Sequence, residues 1–387
     1  MSSLETIRAA AAASWLPFNW PYVLRRTLAR QIDEALTSPG KVTLLTGPAG
    51  VGKSTALLYS KIPAVLINSN SHQSVTEQFQ RFIPDFKPRL TVLESLGLGL
   101  EMIPASVPVV LLNSDKILVD FTIPRTQSAL ILEVSSSVPA VALRDKCHDL
   151  VEVGDLADDS VRSIFLPRLV STENQLEAVR RLCGGRALLL QKLAAALDAL
   201  GPEVSAEKAE DEFLVRTGKS RALAEDSSSL EIDALTVKQD RFFEELGSAS
   251  CFAEEINQFE DAINSAEAAF DVLTVEDPRL GKIFFLETIA QLTVALVKIG
   301  AVTVRGQVND LKHPVLVKLL QADILSVRWA PQPMLIPQST LTLRLLQSFV
   351  HARLEELSLI DRARYNVGLL KNRVEIRKKL DDVVFLV

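Results

Sequence analysis

The stretch Gly47-Pro48-Ala49-Gly50-Val51-Gly52-Lys53-Ser54 constrains this chain more than any other feature. It satisfies G-x-x-x-x-G-K-[ST], follows an apolar run over Val42 to Thr46 and precedes a helical pattern over Ser54 to Ser60, the strand–loop–helix setting such a loop requires. Glycines at Gly47, Gly50 and Gly52 let the backbone turn tightly enough to aim several N–H groups at one phosphate. The start of the following helix adds partial positive charge. In that setting Lys53 reaches the β- and γ-phosphates and the Ser54 hydroxyl is the expected magnesium ligand. Thr55 lies next in line near the α-phosphate, so Gly47 through Thr55 is the expected nucleotide-binding segment. A chance glycine turn before a helix is the plain alternative.

Around the loop, short apolar or β-branched runs alternate with helical segments, which predicts an α/β fold with a parallel sheet covered on both faces. Strands are expected at Lys41 to Thr46, Ala64 to Asn68, Val107 to Leu112, Ala129 to Val134 and Leu150 to Val153. Helices are expected near Tyr22 to Thr37, Lys53 to Ser60, Ser74 to Phe82 and Leu90 to Met102. From Asp158, "DDSVRSIFLPRL", "TENQLEAVRRLC" and "RALLLQKLAAALDAL" carry apolar residues at i, i+3, i+4 spacing, the pattern of three helices. The serine run Ser227 to Ser229 reads as a boundary, and Leu235 to Leu273 as helical. Later come a helix at Leu280 to Ile299, a helix near Asn309 to Ala322, strand-like "ILSVRW" and "PMLIPQS", and a helix at Thr340 to Leu357, the outline of a winged helix. The expected organisation is an extension at 1–20, an α/β domain at 21–157, a helical lid at 158–225, a helical region at 230–276, a winged-helix-like domain at 277–358 and a tail at 359–387.

Spending a nucleotide needs acids, one to hold the metal's water shell and one to polarise the attacking water. After the apolar run "VPVVLL" come Asn113 and Ser114, then Asp115, with Lys116 where a second carboxylate would stand. Asp115 is either a metal acid acting through a water or an ordinary loop aspartate; Glu101 and Asp120 are poorer candidates for the base. The strand "ALILEVSSS" ends in Ser135, Ser136 and Ser137, where a hydroxyl such as that of Ser136 senses the γ-phosphate or simply begins a turn. Arg125, Arg144 and Arg168 are equal candidates for an arginine finger from a neighbouring subunit.

The 387 residues carry a net charge of −6, which argues against nucleic-acid binding by bulk charge. "NDLKHPVLVKLLQADIL" offers only Lys312, His313 and Lys318, so protein contact is expected there rather than DNA, and the basic cluster Arg373 to Lys379 reads as a solvated helix face. Cys147, Cys183 and Cys251 are isolated, with no metal or disulfide spacing, as fits a cytoplasmic or other reducing compartment. The apolar stretch Phe284 to Val297 is broken by Glu287, Thr288, Gln291 and Thr293, well short of the roughly 18 apolar residues of a membrane span. "IRAAAAASWLPFNW", Ile7 to Trp20, is expected to form a short packed helix, with organelle targeting as the alternative.

Taken in order, these parts resemble the STAND branch of AAA+-related P-loop ATPases, which includes archaeal-type ATPases and the NB-ARC-like modules of plant resistance proteins. "WPYVLRRTLARQIDEAL" stands where that family has its lead-in and first helix, and "GPAGVGKST" matches its phosphate loop in full. "DLVEVGDLADDSVRSIF" is similar to the strand, leucine and acidic helix start that follow its sensor strand, with Leu156 as the leucine. "LCGGRALLLQKLA" is similar to its C-G-G-x-P-L-A-L segment, with Ala187 in the place of the family's adenine-packing proline. Arg186 after the glycine pair also resembles Crinkler and retrotransposon-hot-spot ATPases.

The resemblance implies an AAA+-like P-loop NTPase with a helical lid and a winged-helix region, using ATP and Mg²⁺. It implies a nucleotide-dependent switch acting on a protein partner or on itself, with slow hydrolysis because the acids after the third strand are incomplete. A nucleotide-stabilised scaffold that does not hydrolyse is the alternative, and a P-loop kinase or DNA-binding ATPase a further one.

Overall fold

β1, Val42–Thr46, is buried along its whole length, and its side chains divide between two cores by the period of two that any strand imposes. In the computed structural model Val42 and Leu44 join a cluster with Phe79, Leu96, Leu100 and Leu132, while Leu45 joins another with Ile32, Ala56, Leu57 and Ile131. A strand covered on both faces reads as a continuous apolar run rather than an alternating one, which is why "VTLLT" looks as it does. The structure describes residues 26–58, 60–68, 72–83, 85–89, 91–112, 114–116, 127–165, 173–199, 252–271, 278–303, 314–329 and 333–357. The N-terminal stretch to Trp20, the serine run, Asp120, Arg125, Arg168, Cys251 and the basic tail lie outside them.

The chain divides into two units, the first holding the described residues up to Gly154 together with Ser326–Trp329. Its sheet has five strands in the order β2-β3-β4-β1-β5, with β2 at Val65–Asn68, β3 at Val109–Leu112, β4 at Leu130–Val134 and β5 at Asp149–Glu152. All four pairings are parallel, as the alternation of strands and helices predicts. Every expected strand is present within a residue or two, and so are the helices Lys53–Leu58, His72–Phe82 and Val92–Met102; the helix expected from Tyr22 is present over Arg26–Leu36, with 22–25 outside the described residues. Thr91 begins the last of these with a capping box: its hydroxyl accepts from the Glu94 N–H, and Glu94 accepts from the Thr91 N–H.

One helix, Ser137–Arg144, was not legible in "SVPAVALR". Pro139 and two valines lower its helical propensity. Pro139 falls in the first turn, where the missing N–H would have had no intrahelical acceptor.

Just beyond that helix, burial pushes the Cys147 thiol up to about 11, against the weaker opposing pull of Arg144 and Lys146. The folded thiol therefore keeps its proton to higher pH than the unfolded one, and its contribution to stability is lost as pH rises from about 9 towards 11. Iodoacetamide at about pH 8 is expected to leave Cys147 unmodified in the native protein and to label it in urea. Peptide mass spectrometry checks this, and native labelling at the rate of a free thiol would contradict it.

The second unit is mainly helical: Asp158–Phe165, Glu173–Cys183, Ala187–Ala199, Ala253–Asp271, Pro278–Ile299, Pro314–Gln321 and Thr340–Glu356. Two of these start on proline, which suits a first helical position. Three polar residues in the middle of Pro278–Ile299 are buried, Glu287, Thr288 and Thr293; Glu287 accepts from Gln291, and Thr293 donates to the Ile289 carbonyl. Among the described residues no helix is long and apolar enough to cross a membrane. Lys192 ties Ala187–Ala199 to Ala253–Asp271 through ion pairs to Glu254 and Glu255 at 3.1 and 2.6 Å. β6, Val302–Thr303, pairs antiparallel with β8, Met334–Pro337, whereas β7, Leu325–Arg328, belongs to the first unit from Ser326 on. The strands and helices expected between Leu280 and Leu357 are thus present where they are described, and 304–313 lies outside the description.

Candidate functional site

The loop from Gly47 to Gly52 leaves the carboxyl end of β1 and takes a course only glycine permits. Gly47, Gly50 and Gly52 have φ of 150°, 76° and 94°. At Gly47 the packing adds a second demand, because a Cβ there would run into the carbonyl oxygen of Val153. Val153 is held close by its own N–H, which donates to the Thr46 carbonyl at 2.8 Å and carries the β1–β5 pairing up to the loop. Val51 is buried in the core beneath the loop, which fixes the loop from below.

Lys53 opens the helix Lys53–Leu58 and is only 3% exposed. Its ammonium lies inside the loop, donating to the carbonyl oxygens of Gly47 at 2.7 Å and Pro48 at 3.0 Å. Ala49, Gly50 and Gly52 complete the turn between these carbonyls and the helix, and Thr55 follows in the helix's first turn. A buried ammonium is costly unless polar groups meet it, and here two loop carbonyls do.

Ser54, the next residue, donates its hydroxyl proton to Oε1 of Glu133 at 2.6 Å. Glu133 lies on β4, opposite Leu45 of β1, and is 2% exposed. The alternation of β4 explains why it meets Ser54: Leu130, Leu132 and Val134 face one core, while Ile131, and with it Glu133, faces the side of Lys53–Leu58. Sequence reasoning passed over Glu133. The signal was there, an acid inside the apolar run "ALILEV" of a strand expected to be buried on both faces.

Asp115 is placed in a short 3₁₀ turn, Ser114–Lys116, after β3. Its Oδ1 accepts from the backbone N–H groups of Ser135 and Ser136, both at 2.7 Å, and so fixes the turn after β4. Ser136 is the cap residue of Ser137–Arg144, extended in backbone and without a side-chain capping bond. Ser137 accepts from the Val327 N–H at 3.2 Å and lies 3.3 Å from the Ser326 hydroxyl, while the backbone N–H of Trp329 donates to Glu152 at 3.3 Å. The segment Ser326–Trp329 therefore attaches to the carboxyl edge of the same sheet. Glu101 is exposed on its helix, and Arg144 lies in the last turn of Ser137–Arg144.

In the second unit the glycine pair forms the turn between Glu173–Cys183 and Ala187–Ala199. Gly184 has φ of 55° and no room for a Cβ beside the Thr340 hydroxyl. Gly185 lies against the backbone of Leu156, whose N–H donates to the Gly185 carbonyl at 2.7 Å. Arg186 follows, buried, with Nε on Asp155 at 2.6 Å and Nη2 donating to the Gln338 carbonyl. Burial lowers the Arg186 pKa from its ordinary value, and the Asp155 carboxylate opposes that fall. The residues that carry the family resemblance here thus form a junction of three chain segments.

No protein-family model matches the chain, and no curated protein matches it. Among solved structures it is similar to a Walker-type ATPase of Pyrococcus abyssi, with 14% identity, TM-score 0.39, and coverage of 85% of this chain and 97% of that one. It is also similar to Cdc6p from Pyrobaculum aerophilum, with 15% identity, TM-score 0.36, and coverage of 87% and 97%. A third similar structure is Drosophila ORC bound to DNA, with 13% identity, TM-score 0.29, and coverage of 89% and 98%.

Proposed function

We propose that this chain binds ATP at Gly47 to Thr55 and acts as an AAA+-type nucleotide switch of the STAND kind on a protein partner, hydrolysing its nucleotide slowly. The observation that carries this reading is the buried Lys53 ammonium, held inside a glycine-shaped loop at the carboxyl end of a parallel strand. That strand lies between β4 and β5, where the strand order switches direction and where open parallel sheets take their ligands. The loop's backbone would cradle the phosphates, and Lys53 has three protons to divide between loop carbonyls and phosphate oxygens.

The donor set also fits magnesium, with Ser54 as ligand and a carboxylate behind it. When bound, the cation neutralises charge on the phosphate oxygens. Slow turnover follows from Asp115, whose Oδ1 already serves two backbone N–H groups. The same observation favours a non-hydrolysing scaffold as the second reading. Phosphate release by the wild-type protein separates the two: turnover supports the slow ATPase, and its absence the scaffold. The switch itself requires that the γ-phosphate make different contacts in two states of the protein, since a ligand with equal affinity for both shifts nothing.

Lys53→Ala is expected to weaken binding of a fluorescent ATP analogue by at least about tenfold, since a charge-assisted hydrogen bond to phosphate contributes about 1.5–3 kcal/mol. Equilibrium titration, with circular dichroism to check the fold, is the measurement. Equal affinity in the variant, or no binding by the wild type, would overturn the reading.

A further inference from the structure

A hydroxyl has one proton to donate and lone pairs with which to accept. At Ser54 the proton is committed to Glu133 Oε1 at 2.6 Å, within the short range of a hydroxyl-to-carboxylate bond. What remains on Ser54 Oγ is acceptor capacity, the property a divalent cation seeks in a ligand. The acid after β3 is engaged differently: Asp115 Oδ1 accepts from two backbone N–H groups of the turn after β4.

We propose that Glu133 is the positioning residue of the divalent-cation site, fixing Ser54 with its lone pairs presented to the cation and placing a negative charge behind it. The acid for this role therefore comes from β4 and not from the end of β3, where the sequence pattern directs attention. Strand order makes this possible, because β4 is the direct neighbour of β1 and its register sets Glu133 opposite Leu45. The proposal rests on the nucleotide-binding reading above.

The experiment is to titrate a fluorescent ATP analogue in EDTA and again in Mg²⁺, taking the ratio of affinities within each variant. Because the readout is a ratio, a uniform loss of binding through partial misfolding does not move it. In the wild type Mg²⁺ is expected to raise affinity about tenfold or more, on the scale at which groups behind a metal ligand alter metal affinity. Glu133→Ala is expected to lose most of that gain. Glu133→Gln keeps an acceptor for the Ser54 proton without the charge and is expected to recover part of it. Ser54→Ala is expected to lose the gain as well, and the double variant to lose no more than Ser54→Ala alone.

A full gain in Glu133→Gln overturns the part played by the charge, and a full gain in Glu133→Ala or Glu133→Leu, neither of which accepts the Ser54 proton, overturns the proposal whole; leucine fills the volume and keeps the test decisive where the alanine variant does not fold. Independent, additive losses in the double variant overturn the route through Ser54. Binding by the wild type in EDTA with no gain from Mg²⁺ overturns the role of Glu133 while leaving nucleotide binding intact. Absence of binding in both conditions overturns the nucleotide reading itself, and this proposal with it.

Discussion

Gly47→Ala is expected to destabilise the first unit by on the order of 3–5 kcal/mol and to abolish the nucleotide binding proposed for this loop. Two separate costs act at this residue. A φ of 150° is a conformation essentially reserved for glycine, and holding another residue there costs about 1–3 kcal/mol. The new methyl group would also meet the Val153 carbonyl oxygen, which is backbone and cannot turn aside as a flexible side chain would. Relieving that overlap means moving β5 or the loop, at an overpacking cost of about 1–3 kcal/mol. Gly52→Ala is the internal comparison, because a Cβ there meets nothing within 4 Å and only the conformational cost remains. Urea denaturation of both variants, with titration of the ATP analogue, measures the difference. Equal destabilisation by the two would show that contact with Val153 does not matter.

Replacing Arg186 by leucine is expected to destabilise the second unit by on the order of 3 kcal/mol. The guanidinium is 5% exposed, binds Asp155 through Nε and donates to the Gln338 carbonyl through Nη2, so one planar group serves two segments distant in the chain. Breaking a buried pair costs about 3–5 kcal/mol because the remaining charge is stranded. Here the value falls at the low end, since Asp155 keeps 35% of its side chain in water and can be solvated there. Arg186→Lys is expected to recover little, because an ammonium lacks the fork that reaches both partners. Chemical denaturation checks both variants, and a loss below about 1 kcal/mol for leucine would place this junction among ordinary surface ion pairs.

The strands and most helices were legible because the signals that set them are local. Apolar runs bounded by turn residues located β1 to β5, and the spacing of apolar residues located the helices after Asp158. The helix Ser137–Arg144 escaped because propensity counts proline against a helix without regard to position, whereas in the first turn its missing N–H costs nothing. The attachment of Ser326–Trp329 to the first unit had no sequence signal, since Ser137 and Val327 are 190 residues apart and nothing in either segment's own pattern pairs them.

The course of the glycine loop after β1 was determined by the sequence alone. Its three glycines answer a backbone demand felt within eight residues, and Lys53 and Ser54 are placed by the chain that immediately precedes them. Which carboxylate meets Ser54 was decided only by the tertiary structure. Glu133 lies 79 residues away, and it arrives there because β4 inserts between β1 and β3 in a register that turns the acid towards Lys53–Leu58. A strand's own sequence fixes which residues share a face, but the choice of neighbour and of register is made by packing the whole sheet.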